Sequence, residues 1–368
     1  MRRVDARCGG TVLCVGVVAA AAVATAVVGG GCGGGGGHAA NENPIVETLT
    51  LGLEGNEPNG LALQGSALYW ASVAWDSDAA PHGSGYGYLQ TVSTDGGGVR
   101  ILGAGYLPDA VVADATNVYW TTLDVLDDAG SATPGGRIQR TPRAGGATTI
   151  LFEGSLIAGS GDSNLSGLAL AANHLYWAAN TSGSGVTIMT MPVDGGTAVP
   201  LAVLPVGQNL DCIAASADAV YWATHEFSMN NVPSGSVMKQ PLAGGPPVTL
   251  AKTSLPVAMA VGPSGVYWTD NGSVRSVALD GGPTVLLALD PDGVAGAIAI
   301  DATSVYWTTG NGIAKAPIGG GSPATLVSSG SGVGSDLVVD DTSVYWTTVV
   351  PCSSRPAACA AVQKVTPK

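Results

Sequence analysis

Residues 294–327 read VAGAIAIDATSVYWTTGNGIAKAPIGGGSPATLV, and the order of residue types in this stretch decides the fold. An apolar run, Ala297 to Ile300, comes first. Asp301-Ala302-Thr303-Ser304 follows, a set of turn formers whose short side chains bond nearby backbone. Val305-Tyr306-Trp307-Thr308 is β-branched and aromatic, the composition of a half-buried strand. A short polar loop leads to the alternating Ile313–Pro317, Gly319-Gly320-Gly321 turns the chain, and Ala324–Val327 closes the unit. This is the pattern of four short strands separated by turns.

The unit recurs. Tyr-Trp pairs stand at Tyr69-Trp70, Tyr119-Trp120, Tyr176-Trp177, Tyr221-Trp222, Tyr267-Trp268, Tyr306-Trp307 and Tyr345-Trp346. Successive tryptophans are 50, 57, 45, 46, 39 and 39 residues apart, the period of propeller blades. Asp-containing turns precede the motif strand at Asp114, Asp218, Asp301 and Asp340-Asp341, and glycine pairs follow the third strand from Gly96-Gly97 to Gly319-Gly320. The expected fold is all-β: a seven-bladed β-propeller of four-stranded antiparallel blades over residues 45–368. The last unit ends after its third strand, whereas an orphan strand, Val46–Leu51, precedes the first unit. That strand is expected to complete blade seven and close the ring, because an unpaired edge invites aggregation. The aromatic pairs recur at one register, which assigns them to blade packing.

Residues 1–31 lie outside this pattern. Arg2, Arg3 and Arg7 precede an Ala/Val-rich segment, the composition of a secretory signal. Gly29-Gly30-Gly31-Cys32 resembles a bacterial lipoprotein signal, although Gly29 stands where leucine is usual. The resemblance implies lipidation of Cys32 and a Gly-rich tether over 32–44. The expected location is therefore the cell envelope, membrane-anchored through lipid, or secreted. Cys352 and Cys359, with six residues between them in PCSSRPAAC, suit a local disulfide in an oxidising compartment. Cys212, in an apolar run, reads as a buried small hydrophobe. The formal charge is −13 with Lys and Arg scarce, which argues against a nucleic-acid partner. A monomer is expected.

Val266-Tyr267-Trp268-Thr269-Asp270, with 274–287 (VRSVALDGGPTVLL), resembles the YWTD repeat of low-density-lipoprotein-receptor-type propellers. Full YWTD occurs once, and receptor domains of that type have six blades. The resemblance implies protein binding without catalysis. The leading expectation is thus a non-catalytic cell-envelope scaffold presenting a loop face to a protein, peptide or glycan. The long strand 2–3 loops supply candidate ligand residues: Trp75 and His82 in blade one, Asp124, Asp127 and Asp128 in blade two, His225 and Glu226 in blade four. Variable loops on a rigid ring commonly carry binding.

A second candidate comes from register. Eleven residues before each motif tryptophan, where the first strand begins at the central channel, stand Asn59, Asp109, Ser166, Asp211, Val257, Gly296 and Ser335, with Asp336 beside the last. Oxygen ligands from Asn59, Asp109, Ser166 and Asp211 would suit a divalent cation such as Ca²⁺. Pro58–Leu63 (PNGLAL) resembles the strand start of gluconolactonase-type propellers, which implies a metal-dependent hydrolase, lactonase or lyase as the alternative. The family's glutamate ligand has no counterpart. No G-x-S-x-G, H-E-x-x-H or C-x-x-C motif occurs in the chain.

Overall fold

The computed structural model describes residues 44–54, 56–74, 85–126, 132–154, 166–181, 185–227, 232–290, 292–328, 333–351 and 358–368. These form seven four-stranded antiparallel sheets, each a meander. Blade one runs from Asn56 to Tyr106, blade two from Pro108 to Gly154, blade three from Ser166 to Val203, and blade four from Asn209 to Thr253. Blades five and six run from Pro256 to Leu289 and from Ile298 to Ser328. Blade seven takes its inner three strands from Val333–Val339, Val344–Pro351 and Ala358–Thr366. Its outer strand is Ile45–Glu54, longer than the expected Val46–Leu51, paired from Ile45↔Thr366 to Glu54↔Cys359. The ring is closed by its own N-terminal strand, as expected.

Two adjacent aromatics serve two faces because successive side chains of a strand point to opposite sides. The tyrosine faces the next blade and the tryptophan faces the previous one. Tyr69 shares a core cluster with Trp120, Tyr119 with Trp177, Tyr176 with Trp222, and Tyr306 with Trp346. Tyr221 and Trp268 meet in one continuous cluster with Tyr267 and Trp307. The seventh seam joins Tyr345 to Trp70, and Leu49 of the closing strand packs there. All seven motif tryptophans are at most 2% exposed. At the first seam a side chain on Gly103 would meet Trp120 at 2.9 Å, so the outer strand must offer glycine there.

The turn before the motif strand is built by its aspartate. Asp301 Oδ1 accepts from the Thr303 and Ser304 amides at 2.7 and 2.8 Å, and Oδ2 accepts from Tyr306 Oη at 2.8 Å. Asp114 and Asp340 repeat this with Tyr119 and Tyr345. In blade four the capping oxygen is Ser216 Oγ, not the expected Asp218. Although burial pushes these three carboxyls up, the bonds they accept outweigh it and hold them below the usual range.

At the same end of the ring, cations staple neighbouring blades. Arg140, Lys239 and Lys364 each reach from the third strand of one blade to a carbonyl just before the Asp-Gly-Gly turn of the next. The acceptors are Val193, Leu279 and Thr94, at 3.2, 2.8 and 3.2 Å. Lys368 joins blades six and seven, with Asp301 Oδ2 at 2.7 Å and the Asp340 carbonyl as a second acceptor. Arg143 donates from Nε to Tyr69 Oη, from Nη1 to the Ala115 carbonyl and from Nη2 to the Gln64 carbonyl, at 2.7, 2.7 and 2.8 Å.

Cys212 is buried and free. Cys359 is buried, while Cys32, Cys352, Trp75, His82, Asp127 and Asp128 lie outside the described residues. Arg143→Ala should therefore lower unfolding stability by about 2–3 kcal/mol, the scale of lost bonds to a charged group. Arg143→Lys should recover less than half, because one ammonium cannot serve three acceptors placed for a planar fork. Urea denaturation of the three proteins checks this.

Candidate functional site

The mouth of the channel is the end where each first strand begins, opposite the stapled end. There the ladders are irregular. In blade four Leu210 pairs Thr224 and Cys212 pairs Ala223, so Asp211 is the extra residue of a bulge. In blades one and three the extra residues are Gly60 and Gly167, at φ 56° and 68°. Bulges re-aim side chains, and here they do so at one level of the ring. A side chain on Gly60 would stand 2.4 Å from the Asp109 carbonyl, so blades one and two touch backbone to backbone at the mouth.

The bulge brings Asp211 to His225. Asp211 Oδ1 lies 2.6 Å from His225 Nδ1, and the two side chains are 15% and 17% exposed. Asp211 Oδ2 is buried without a hydrogen-bond partner. Burial pushes the Asp211 carboxyl up to about 6, against the opposing pull of His225. The Phe227 ring packs edge-on to His225 at 5.1 Å. Across the ring, burial and then the nearby charge of Asp336 push Asp109 up to about 7. Asp336 itself is 2% exposed.

Of the residues expected to bind a ligand, His225 and Glu226 lie in the second strand of blade four, not in a loop. They point to opposite faces. Glu226 borders a cavity of about 300 Å³ that is also lined by Gln208, Ser234, Ser236 and Lys252. Asp124 is likewise in a strand, opposite Pro134. Asn59 pairs Ala71 and Ser166 pairs Ala178, at the mouth ends of their blades. Among the described residues no three His, Cys, Asp or Glu side chains come together to hold a metal. The Asp of the YWTD motif, Asp270, is structural. Its Oδ1 accepts from Ser254 Oγ and the Leu255 amide, and its Oδ2 from Thr253 Oγ1.

The pairing of Asp211 with His225 escaped the sequence reading, although its signal was present. The two stand eleven before and three after Trp222. First and second strands pair so that the ninth residue before the tryptophan lies opposite it. One bulge then places the eleventh beside the third.

No family model matches the chain, and no curated protein matches it. Solved structures do. A prolyl endopeptidase, from a study of two such enzymes and their inter-domain dynamics, aligns at 13% identity over 85% of this chain, with a TM-score of 0.55. The β-propeller domain of the Trilobed protease from Pyrococcus furiosus aligns at 10% identity over 79%, with a TM-score of 0.56. A Mycobacterium tuberculosis puromycin-hydrolyzing peptidase aligns at 13% identity over 81%, with a TM-score of 0.52. The chain spans 48% and 50% of the two peptidases and 91% of the propeller domain. That domain is described as having an open velcro topology, whereas here the closing strand is paired.

These likenesses establish the propeller fold. They also correct the expectation of a non-catalytic scaffold. That expectation followed the YWTD resemblance, but these three matched propellers belong to peptide hydrolases.

The raised carboxyls set a pH dependence. Asp109 keeps its proton in the folded chain up to about pH 7, whereas the unfolded chain releases it near 4. Between those values the folded state binds more protons, so stability falls as pH rises. Asp114, Asp270, Asp301 and Asp340 act oppositely, losing stability as pH falls below about 4. Denaturant titrations should thus find greatest stability between about pH 4 and 6. Asp109→Asn should flatten the decline toward pH 8 and stabilise the protein there by about 1–3 kcal/mol, less than the full shift because the side chain keeps some solvent.

Proposed function

We propose that this chain serves in peptide hydrolysis, receiving a positively charged peptide at the channel mouth. The observation that carries this reading is the set of desolvated carboxylates there: Asp109, Asp211 and Asp336. A buried carboxylate lacking solvation gains most from a cationic partner. A peptide ammonium, lysine or arginine supplies that partner and displaces the retained proton. The peptide hydrolases among the structural neighbours support the substrate class. The chain corresponds to about half of two of them, so the activity of a whole enzyme is part of the proposal.

Fluorescence anisotropy with labelled arginine-rich, neutral and glutamate-rich peptides tests it. The arginine-rich peptide should bind tightest, and Asp109→Asn with Asp336→Asn should weaken it about tenfold, or about 1.4 kcal/mol. The surface pair Asp95→Asn with Asp194→Asn removes the same net charge and should have a smaller effect. Equal losses in both double variants would reduce the binding to general charge and overturn the reading.

The N-terminal sequence adds an address. The charged start, apolar core and small residues before Cys32 support export and attachment to a membrane by lipid on that cysteine. Cys32→Ser should move the protein from the membrane fraction to the soluble fraction. Retention in the membrane fraction would show that Cys32 is not the anchor.

A further inference from the structure

The geometry points to His225 as a proton-transferring residue that activates water against a peptide carbonyl, with Asp211 as its positioning residue. This rests on the peptide-hydrolysis reading above.

Three observations meet at this pair. The Asp211 Oδ1–His225 Nδ1 contact of 2.6 Å fixes the ring. With Nδ1 given to the carboxylate, Nε2 is left to exchange a proton, the orientation in which an Asp-held imidazole works as a base. Asp211 Oδ2 is buried with no partner, and an orphaned buried acceptor is a cost to the fold. A carboxylate serving only structure would be expected to have that oxygen satisfied. The His225 side chain is also partly open to solvent. His225 lies opposite Gly235, which has no side chain, and keeps 17% of its own exposed. Gly235 is required here, because a Cβ would meet the Thr224 carbonyl at 2.1 Å.

In the step itself, Nε2 takes one proton from water as the oxygen attacks the carbonyl carbon. A tetrahedral intermediate forms. The imidazolium returns the proton to the leaving nitrogen as the C–N bond breaks. One water is consumed, and a carboxylic acid and an amine are released. His225 ends neutral, and Asp211 keeps its charge throughout.

The test uses the full chain and p-nitrophenyl acetate, whose leaving group needs no protonation. Turnover should exceed that of equimolar free imidazole by about 10² or more, the scale of positioned acid–base catalysis. His225→Gln should fall to the background of His174 and the remaining histidines, and Asp211→Asn should fall partway. His225→Gly should be rescued by added imidazole in proportion to its concentration. A purely structural histidine gives no such rescue. Wild-type turnover no faster than free imidazole overturns the inference. So does His225→Gln that keeps wild-type turnover and wild-type melting temperature. If the ester is turned over but no labelled peptide binds, the peptide reading falls and the proton-transfer role stands. Peptide binding with inert ester chemistry gives the reverse.

Discussion

Every blade depends on its two neighbours, and the dependence is carried by one dipeptide. A four-stranded sheet this small cannot bury both faces alone, and isolated it would be marginal. Tyr-Trp solves this with two consecutive residues, because the pleat sends one to each seam. Each seam therefore holds a tyrosine from one blade and a tryptophan from the next. Truncating one such tryptophan would cost about 3–5 kcal/mol. The chain has only two phenylalanines, so little other aromatic area is available for this task. Closure follows from the same requirement. Without Leu49 of the N-terminal strand, the seam of Tyr345 and Trp70 would lack its outer wall.

The seams also explain how the mouth tolerates unfavourable chemistry. A buried oxygen without a partner and two mutually repelling aspartates are costs that a marginal structure would relieve by moving. Seven seams over-determine the first strands, so the strand starts hold. Local strain and unsatisfied groups persist where the surrounding structure fixes them. Bulges at Asp211, Gly60 and Gly167 sit on the mouth side of the tryptophan layer, within two residues of it along the second strand.

Much of this was legible in the sequence. The period of the tryptophans gave the blade number, the truncated last unit gave closure, and Asp301-Ala302-Thr303-Ser304 gave the turn chemistry found in three blades. What escaped detection depends on relations between strands or blades. Asp211 and His225 are fourteen residues apart and were assigned to different sites, because the extra bulge residue is not visible in an unaligned strand. The cation staples were missed for the same reason. Lys239 looks like a solvated surface residue until the next blade places the Leu279 carbonyl beside it. In the one full YWTD stretch the aspartate, Asp270, is consumed in holding Thr253, Ser254 and Leu255.

The staples bear on the mouth as well. Arg140, Arg143, Lys239, Lys364 and Lys368 take five of the chain's fourteen basic residues and hold them at the end away from the mouth. There they sit against carbonyls, and four of the five lie over the face of a motif tyrosine or donate to its hydroxyl. The mouth keeps Asp109, Asp211 and Asp336 in low dielectric with few cations to offset them. The open end is thus acidic, whereas at the stapled end the cations sit among the aspartates of the turns, Asp114, Asp301 and Asp340 included. Low-dielectric walls focus such a field into the cleft they line. The requirement that neighbouring blades be tied together therefore draws five basic residues to the far end and leaves few where the carboxylates meet the channel.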